Sequence, residues 1–113
     1  DYSSAINQLY SLNPGKPFTV GGDFDFRHTS IINFYTRFRT DQENLVYLED
    51  SYLQDEPTDF YIAHDFRHEA GANTYLQLSN GFVYKIIGIY PYAGFSGWNW
   101  YVYSLVNDSE STG

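Results

Sequence analysis

The chain contains no cysteine and no methionine, and only 6 of its 113 residues are Lys or Arg. The lack of cysteine excludes disulfide bonds, thiolate-bound zinc, iron–sulfur clusters and a thiol nucleophile. With 14 Asp or Glu, the formal net charge at neutral pH is −8. Nucleic-acid binding requires basic side chains against the phosphates, so we expect no nucleic-acid partner. The same repulsion disfavours an anionic membrane surface.

Long apolar segments are also missing. The longest apolar run, between positions 84 and 92, is interrupted by Lys85, Gly88 and Pro91. A membrane-spanning helix needs about 18 consecutive apolar residues, so the sequence predicts no membrane span in this segment. Because methionine is absent, we do not expect Asp1 to be a native start. A cleaved signal peptide or membrane anchor before it would account for this.

Aromatic residues, in contrast, are abundant: the chain has 12 Tyr, 9 Phe and 2 Trp, and 42% of its residues are hydrophobic. This content is enough to build a core, and the length is that of one ordinary domain. We therefore predict a single domain over residues 1–106. The polar segment 107–113 has nothing to bury and is expected to be a disordered tail or linker.

The overall composition is acidic, poor in lysine, free of cysteine and rich in Tyr, Asn, Ser and Thr. In this respect the chain resembles exported surface and lipoprotein domains of Gram-positive bacteria. The resemblance is one of composition and extends over the whole chain. It implies an extracellular protein, either secreted or anchored at the cell surface.

The N-terminal segment has the apolar spacing of a helix, and the pattern then changes to that of strands. Apolar residues at positions 2, 5, 6, 9, 10 and 12 predict a helix from Ser3 to Leu12, stopped by Asn13-Pro14-Gly15. Around Phe24 to His28 and again around Ile32 to Phe38, alternation with period two predicts half-buried strands.

Further strands are predicted over residues 45–49, 60–63, 74–78, 82–90 and 98–106. Asn80-Gly81 lies between two of them and predicts a hairpin with a type I′ turn. The expected fold is α+β, with the N-terminal helix packed on a twisted antiparallel sheet or partial barrel of six to eight strands.

Two short patterns raise the question of a metal site. Asp25-Phe-Arg-His28 recurs as Asp65-Phe-Arg-His68, by duplication or by chance in a chain rich in these residues. His64 and His68 would share one face of a helix and could bind zinc, but on a strand they would lie ~13 Å apart. His28 could complete a site only if the fold brought the two segments together. We expect hydrogen-bonded histidines and no cofactor.

Motifs for nucleophilic or phosphate chemistry are lacking. No Gly-x-Ser-x-Gly motif is present, and Gly21-Gly22 precedes a predicted strand, where it would not bind a phosphate. Nine of the 14 carboxylates lie between Asp41 and Glu69. They predict either a solvated sheet edge or a surface that attracts a basic partner. An alternative function is a small hydrolase or hydrolase inhibitor that uses the acidic loop from Asp50 to Glu69 with His64 and His68.

The densest feature is an aromatic block near the C-terminus, which we consider as a ligand-binding surface. Its candidate residues are Tyr90, Tyr92, Phe95, Trp98 and Trp100. Such rings stack on sugars or anchor a protein partner, although they could also simply fill the core. The sequence favours a non-enzymatic domain that binds a cell-wall or host glycan, or a protein, at the cell surface. A structural spacer module of a larger surface protein is a further alternative.

Overall fold

A computed structural model describes residues 2–65, 73–91 and 99–106. In order along the chain, the regular elements are α1 (Tyr2–Leu12), β1 (Phe18–Gly22), α2 (Asp25–Thr36), β2 (Leu45–Tyr47), β3 (Phe60–Asp65), β4 (Tyr75–Gln77), β5 (Val83–Tyr90) and β6 (Asn99–Leu105). Short 3-10 turns span Gln42–Asn44 and Ser51–Leu53. Neither helix in the described ranges has the length and apolar character needed to cross a bilayer.

The strands form one open six-stranded sheet in the order β2-β1-β3-β6-β5-β4. The predicted α+β class with an N-terminal helix on the sheet is confirmed. The sheet is mixed, however, because β1 pairs in parallel with both β2 and β3, whereas β3, β6, β5 and β4 pair antiparallel. Parallel strands need a crossover connection between them. The α2 helix provides it between β1 and β2, and the segment 48–59 provides it between β2 and β3, so all three strands run in the same direction.

The α1 helix was predicted correctly. Its buried residues recur at the helical spacing and pack onto one face of the sheet: Tyr2, Ala5, Ile6, Leu9 and Tyr10. The same core contains Phe18 and Val20 of β1 and Ile62 of β3. A second cluster of buried side chains lies on the opposite face of the sheet and includes Tyr61, Tyr84 and Tyr103. Both faces of the central strands are therefore covered.

The predicted strands around Phe24–His28 and Ile32–Phe38 were wrong, because this region forms α2. The helix buries only His28, Ile32 and Thr36, which follow one another at intervals of four residues. In the sequence, aromatic residues between these positions produce an alternation that resembles a strand. The narrow buried stripe, which includes a histidine and a threonine, carries too little apolar signal to reveal the helix.

The predicted hairpin is present, but its turn differs. β4 and β5 pair antiparallel, and the Gly81 N–H donates to the Leu78 carbonyl at 2.9 Å. Gly81 has a φ of +94°, whereas Asn80 is not in the left-handed region, so the turn is not type I′. The Leu78 N–H also donates to the Phe82 carbonyl at 3.0 Å, and these two residues enclose Ser79, Asn80 and Gly81, of which the last has the positive φ that favours glycine.

The repeated Asp-Phe-Arg-His segments do not form equivalent structures. Asp25 begins α2, whereas Asp65 ends β3. The matching tyrosines likewise differ, since Tyr35 lies in a helix and Tyr75 in a strand. His68, like the segment 107–113, lies outside the described residues.

Candidate functional site

The parallel pairing of β1 with β3 determines the position of the main polar cluster. Gly22 at the end of β1 is in register with Ile62, so the next residue, Asp23, lies beside His64. The Asp23 N–H donates to the Ile62 carbonyl at 3.1 Å, and the His64 N–H donates to Asp23 Oδ2 at 3.0 Å. The carboxylate is thus held at the carboxyl ends of two parallel strands, where open sheets commonly bind ligands.

The first turns of α2 bring a second histidine to the same carboxylate. His28 is fully buried, and its Nε2 lies 2.8 Å from Asp23 Oδ1. His64 Nδ1 lies 2.8 Å from the same oxygen. Gly22 provides the space for this approach, because a Cβ at that position would lie 2.5 Å from His28 Cδ2. One oxygen atom therefore lies between two imidazole rings.

The surroundings favour a negative charge on Asp23. Burial by itself raises the pKa of the Asp23 carboxyl, but the hydrogen bonds from His28 and His64 favour the charged form more strongly. The pKa of Asp23 consequently lies below its ordinary value.

Aromatic rings pack against both histidines: Trp100 contacts His28 edge-on at 5.3 Å between centroids, and Phe24 contacts His64 at 5.8 Å.

A second carboxylate lies close to this cluster but has a different role. Asp25 accepts a hydrogen bond from the Tyr47 hydroxyl at 2.7 Å and another from the Asp50 N–H at 2.9 Å. Burial, followed by the hydrogen bond and charge of Asp25, raises the pKa of Tyr47. Asp25 therefore connects the start of α2 with the chain that follows β2.

The arrangement brings together three potential metal ligands. Asp23 Oδ1, His28 Nε2 and His64 Nδ1 all lie within 4.8 Å of one another. We define these residues as the Asp-His-His cluster. The sequence pattern indicated His64 and His28 as possible ligands, but it did not indicate Asp23. The available signal was the Gly-Gly-Asp sequence at the end of β1, but the helix after it was taken for a strand.

Gly21-Gly22 therefore precedes a helix, which corrects the prediction of a following strand. Phosphate binding is nevertheless disfavoured at this position, because Asp23 and Asp25 place two carboxylates at the start of α2.

The predicted aromatic binding block is only partly described. Tyr92, Phe95 and Trp98 lie outside the described residues, so their role stays a prediction. Trp100 is completely buried, with its ring 4.8 Å from that of Tyr2. The prediction that Trp100 lies on a binding surface was therefore wrong, because this residue is on the face of β6 that the helices cover. Tyr90 is half-buried, and its hydroxyl donates to Gln8 Oε1.

A different aromatic surface is exposed on α2. Phe26 is 80% exposed, Phe34 56% and Phe38, just after the helix, 86%. The Arg37 guanidinium lies over the rings of Phe34 and Phe38, at 3.9 and 4.6 Å from their centroids. At about 100° per residue, positions 26, 34 and 37 lie opposite the buried stripe of the helix. We define Phe26, Phe34, Arg37 and Phe38 as the α2 aromatic face.

In the part of the chain that the structure describes, the polar contacts of His64 and of the acidic loop can be given separately. His64 contacts Asp23, which lies outside that loop. Asp59, within the loop, accepts hydrogen bonds from the Thr19 N–H at 2.9 Å and the Thr19 hydroxyl at 3.3 Å. Its role in the described structure is to fasten the loop to β1. His68 and Glu69 lie outside the described residues.

Comparison of the chain with protein-family models, with curated proteins and with solved structures found no match.

Proposed function

We propose that this chain is a non-enzymatic, extracellular binding domain that docks a protein partner through the α2 aromatic face. The observation that carries the proposal is the orientation of α2. The helix turns Phe26 and Phe34 to solvent while it buries His28 and Thr36. A surface helix normally directs its largest apolar residues inward, so the reversed arrangement indicates a partner for the outer face.

The exposed rings of α2 are clustered, which matters for the free energy of binding. Burying one Phe side chain contributes about 1.5–3 kcal/mol. Three exposed phenylalanines on one face, namely Phe26, Phe34 and Phe38, can therefore supply a substantial part of a binding free energy. Single exposed apolar residues elsewhere, such as Ile89, are ordinary and need no partner.

Charge indicates the chemistry of the partner. In an otherwise acidic chain, Arg37 lies on the α2 aromatic face and forms no ion pair with any described residue. Asp25 is the only acid between positions 24 and 40, and its carboxylate is engaged by Tyr47 and Asp50. We expect a partner that presents an apolar surface bordered by carboxylates.

The residue types favour a protein over a glycan. Sugar recognition combines ring stacking with hydrogen bonds to hydroxyl groups, and Trp or Tyr supply both a ring and a polar tip. The rings on this face are phenylalanines, which have no polar atom. Apolar protein side chains match such a surface better than an oligosaccharide does.

The proposal can be tested by NMR titration of the ¹⁵N-labelled chain with a synthetic amphipathic helical peptide. One face of the peptide carries leucine and the other glutamate, and a matched peptide carries lysine in place of glutamate. We expect the chemical-shift changes to be concentrated on α2. The lysine peptide should bind at least tenfold more weakly than the glutamate peptide. The Phe34→Ser/Phe38→Ser variant should lose binding, whereas Ile89→Ser, which removes an equally exposed side chain, should retain it.

Several outcomes would contradict the proposal. Equal binding of the two peptides would exclude the charge complementarity, and retained binding in the double variant would exclude this face. Shifts on α2 caused instead by cell-wall oligosaccharides, or by vesicles of anionic lipid, would replace the protein partner with a glycan or a membrane. Self-association of the free chain in sedimentation velocity, if abolished in Phe34→Ser/Phe38→Ser, would replace the protein partner with a second copy of this chain.

A further inference from the structure

We propose that the Asp-His-His cluster is a binding site for a divalent first-row transition metal ion, with zinc as the reference ion. This inference is independent of the partner surface on α2. It rests on the convergence of Asp23, His28 and His64, which come from three different parts of the fold: the loop after β1, the helix α2 and the strand β3.

The distances between the three donor atoms are close to those around a single metal ion. Ligand atoms that share a tetrahedral zinc ion lie about 3.3 Å apart, because each metal–ligand bond is about 2.0–2.2 Å long. Here His28 Nε2 and His64 Nδ1 each lie 2.8 Å from Asp23 Oδ1. His28 Nε2 and His64 Nδ1 lie within 4.8 Å of each other, so movements on the order of 1 Å by the two rings and the carboxylate oxygen would bring all three donors to bonding distance of one ion.

The donor atoms determine the class of metal. Two imidazole nitrogens and one carboxylate oxygen suit zinc, iron(II), cobalt(II) and nickel(II). Calcium and magnesium prefer sites made of oxygen atoms, so the two histidines argue against them. Since the chain has no cysteine, no thiolate competes for the ion elsewhere.

The cluster is rigidly supported and open on one side. His28 is fixed against the Trp100 ring and fits only because residue 22 is glycine. Asp23 is held by the backbone N–H of His64. The Asp23 side chain is 30% exposed, whereas His28 is fully buried. An ion can therefore enter from the Asp23 side, and water can complete its coordination there.

The test uses the intact chain and zinc chloride alone. After treatment with EDTA and removal of the chelator, calorimetric titration should show one zinc ion bound per chain. A hundredfold excess of zinc over its Kd should raise Tm by about 10 °C. Cobalt(II) should give visible absorption bands of a low-symmetry, nitrogen-containing site. No binding, or no rise in Tm, would overturn the proposal.

Variants locate the site. His64→Gln and Asp23→Asn should each weaken zinc binding at least 100-fold, whereas Glu49→Gln, which removes a carboxylate away from the cluster, should leave it unchanged. Equal zinc affinity in the wild type and His64→Gln would show binding elsewhere and refute the assignment.

A measurement on the wild type keeps the test valid if these variants do not fold. Long-range ¹H–¹⁵N spectra of the histidine rings should show zinc-induced shifts at His28 Nε2 and His64 Nδ1. Unchanged signals at these two nitrogens at saturating zinc would also refute the site.

Discussion

Asp23 contacts His64 twice: its Oδ2 accepts the His64 backbone N–H at 3.0 Å, and its Oδ1 lies 2.8 Å from His64 Nδ1. The first contact fixes the carboxylate against the edge of β3, and the second directs the ring toward it. His28 then reaches the same oxygen from α2. The polar cluster thus results from the register between β1 and β3 and from the start of α2 two residues after Asp23.

In the metal-free protein, replacing Asp23 with Asn should make the free energy of unfolding vary less with pH in the acidic range. The pKa of Asp23 is depressed in the folded state, so its carboxylate stabilises the fold above its unfolded pKa, near 4. This contribution is lost as pH falls through the folded pKa. We expect Asp23→Asn to cost about 1–3 kcal/mol at pH 7 and much less near pH 2.

Urea unfolding with EDTA present, repeated at several pH values between 7 and 2, measures this difference. Asp55→Asn, in the acidic loop, is a suitable control for the loss of one negative charge. A constant cost of Asp23→Asn across the whole pH range would contradict the linkage.

Trp100 should behave as a core residue. Because it is completely buried between α1 and α2, Trp100→Ala should lower the free energy of unfolding by about 3–5 kcal/mol. Phe38→Ala, at a highly exposed ring, should change it by less than about 0.5 kcal/mol. Urea denaturation of both variants provides the comparison, and similar losses in the two would contradict the described packing.

Gly22→Ala should destabilise the protein and displace His28. The added Cβ would lie 2.5 Å from His28 Cδ2 and 2.9 Å from the Ile62 carbonyl oxygen. Because the carbonyl belongs to the backbone of β3, the strand cannot simply move aside, and we expect a cost of about 1–3 kcal/mol. Thermal unfolding measures the cost, and NMR of the His28 ring reports its displacement. A variant with wild-type Tm and an unchanged ring signal would be inconsistent with this close approach.

Tyr47→Phe should reduce stability at neutral pH and flatten its decline in alkali. The hydroxyl donates to Asp25, so its loss should cost about 1–2 kcal/mol. The folded pKa of Tyr47 is raised, so the neutral phenol stabilises the fold below its unfolded pKa of about 10, and this contribution is lost as pH rises further. Chemical denaturation between pH 7 and 11 tests both parts. Tyr75→Phe, at an exposed ring, is the matched control.

Local patterns in the sequence predicted the elements that depend on local contacts. The spacing of Ala5, Ile6 and Leu9 identified α1, because one face of that helix alone meets the core. The turn at Gly81 marked the β4–β5 hairpin, because a positive φ is a requirement of the chain itself. In the predicted strand 98–106, which forms β6, the neighbours Trp100 and Tyr101 belong to opposite faces of the sheet, because successive side chains of a strand alternate.

The α2 helix and the Asp-His-His cluster could not be obtained in this way. Phenylalanines on the solvent side of α2 imitated the alternation of a strand, and a buried His28 gave no apolar signal. Asp23 and His64 are 41 residues apart and meet only because β1 and β3 pair in parallel.

By itself, the sequence determined the composition, the acidic charge, the first helix, the hairpin and the α+β class, since each depends on residues close together in the chain. Tertiary structure decided which aromatic rings are buried and which are exposed, and which polar side chains meet. Trp100 became part of the core and Phe38 part of the surface because burial depends on what packs over a residue, and this is not encoded in its immediate neighbours.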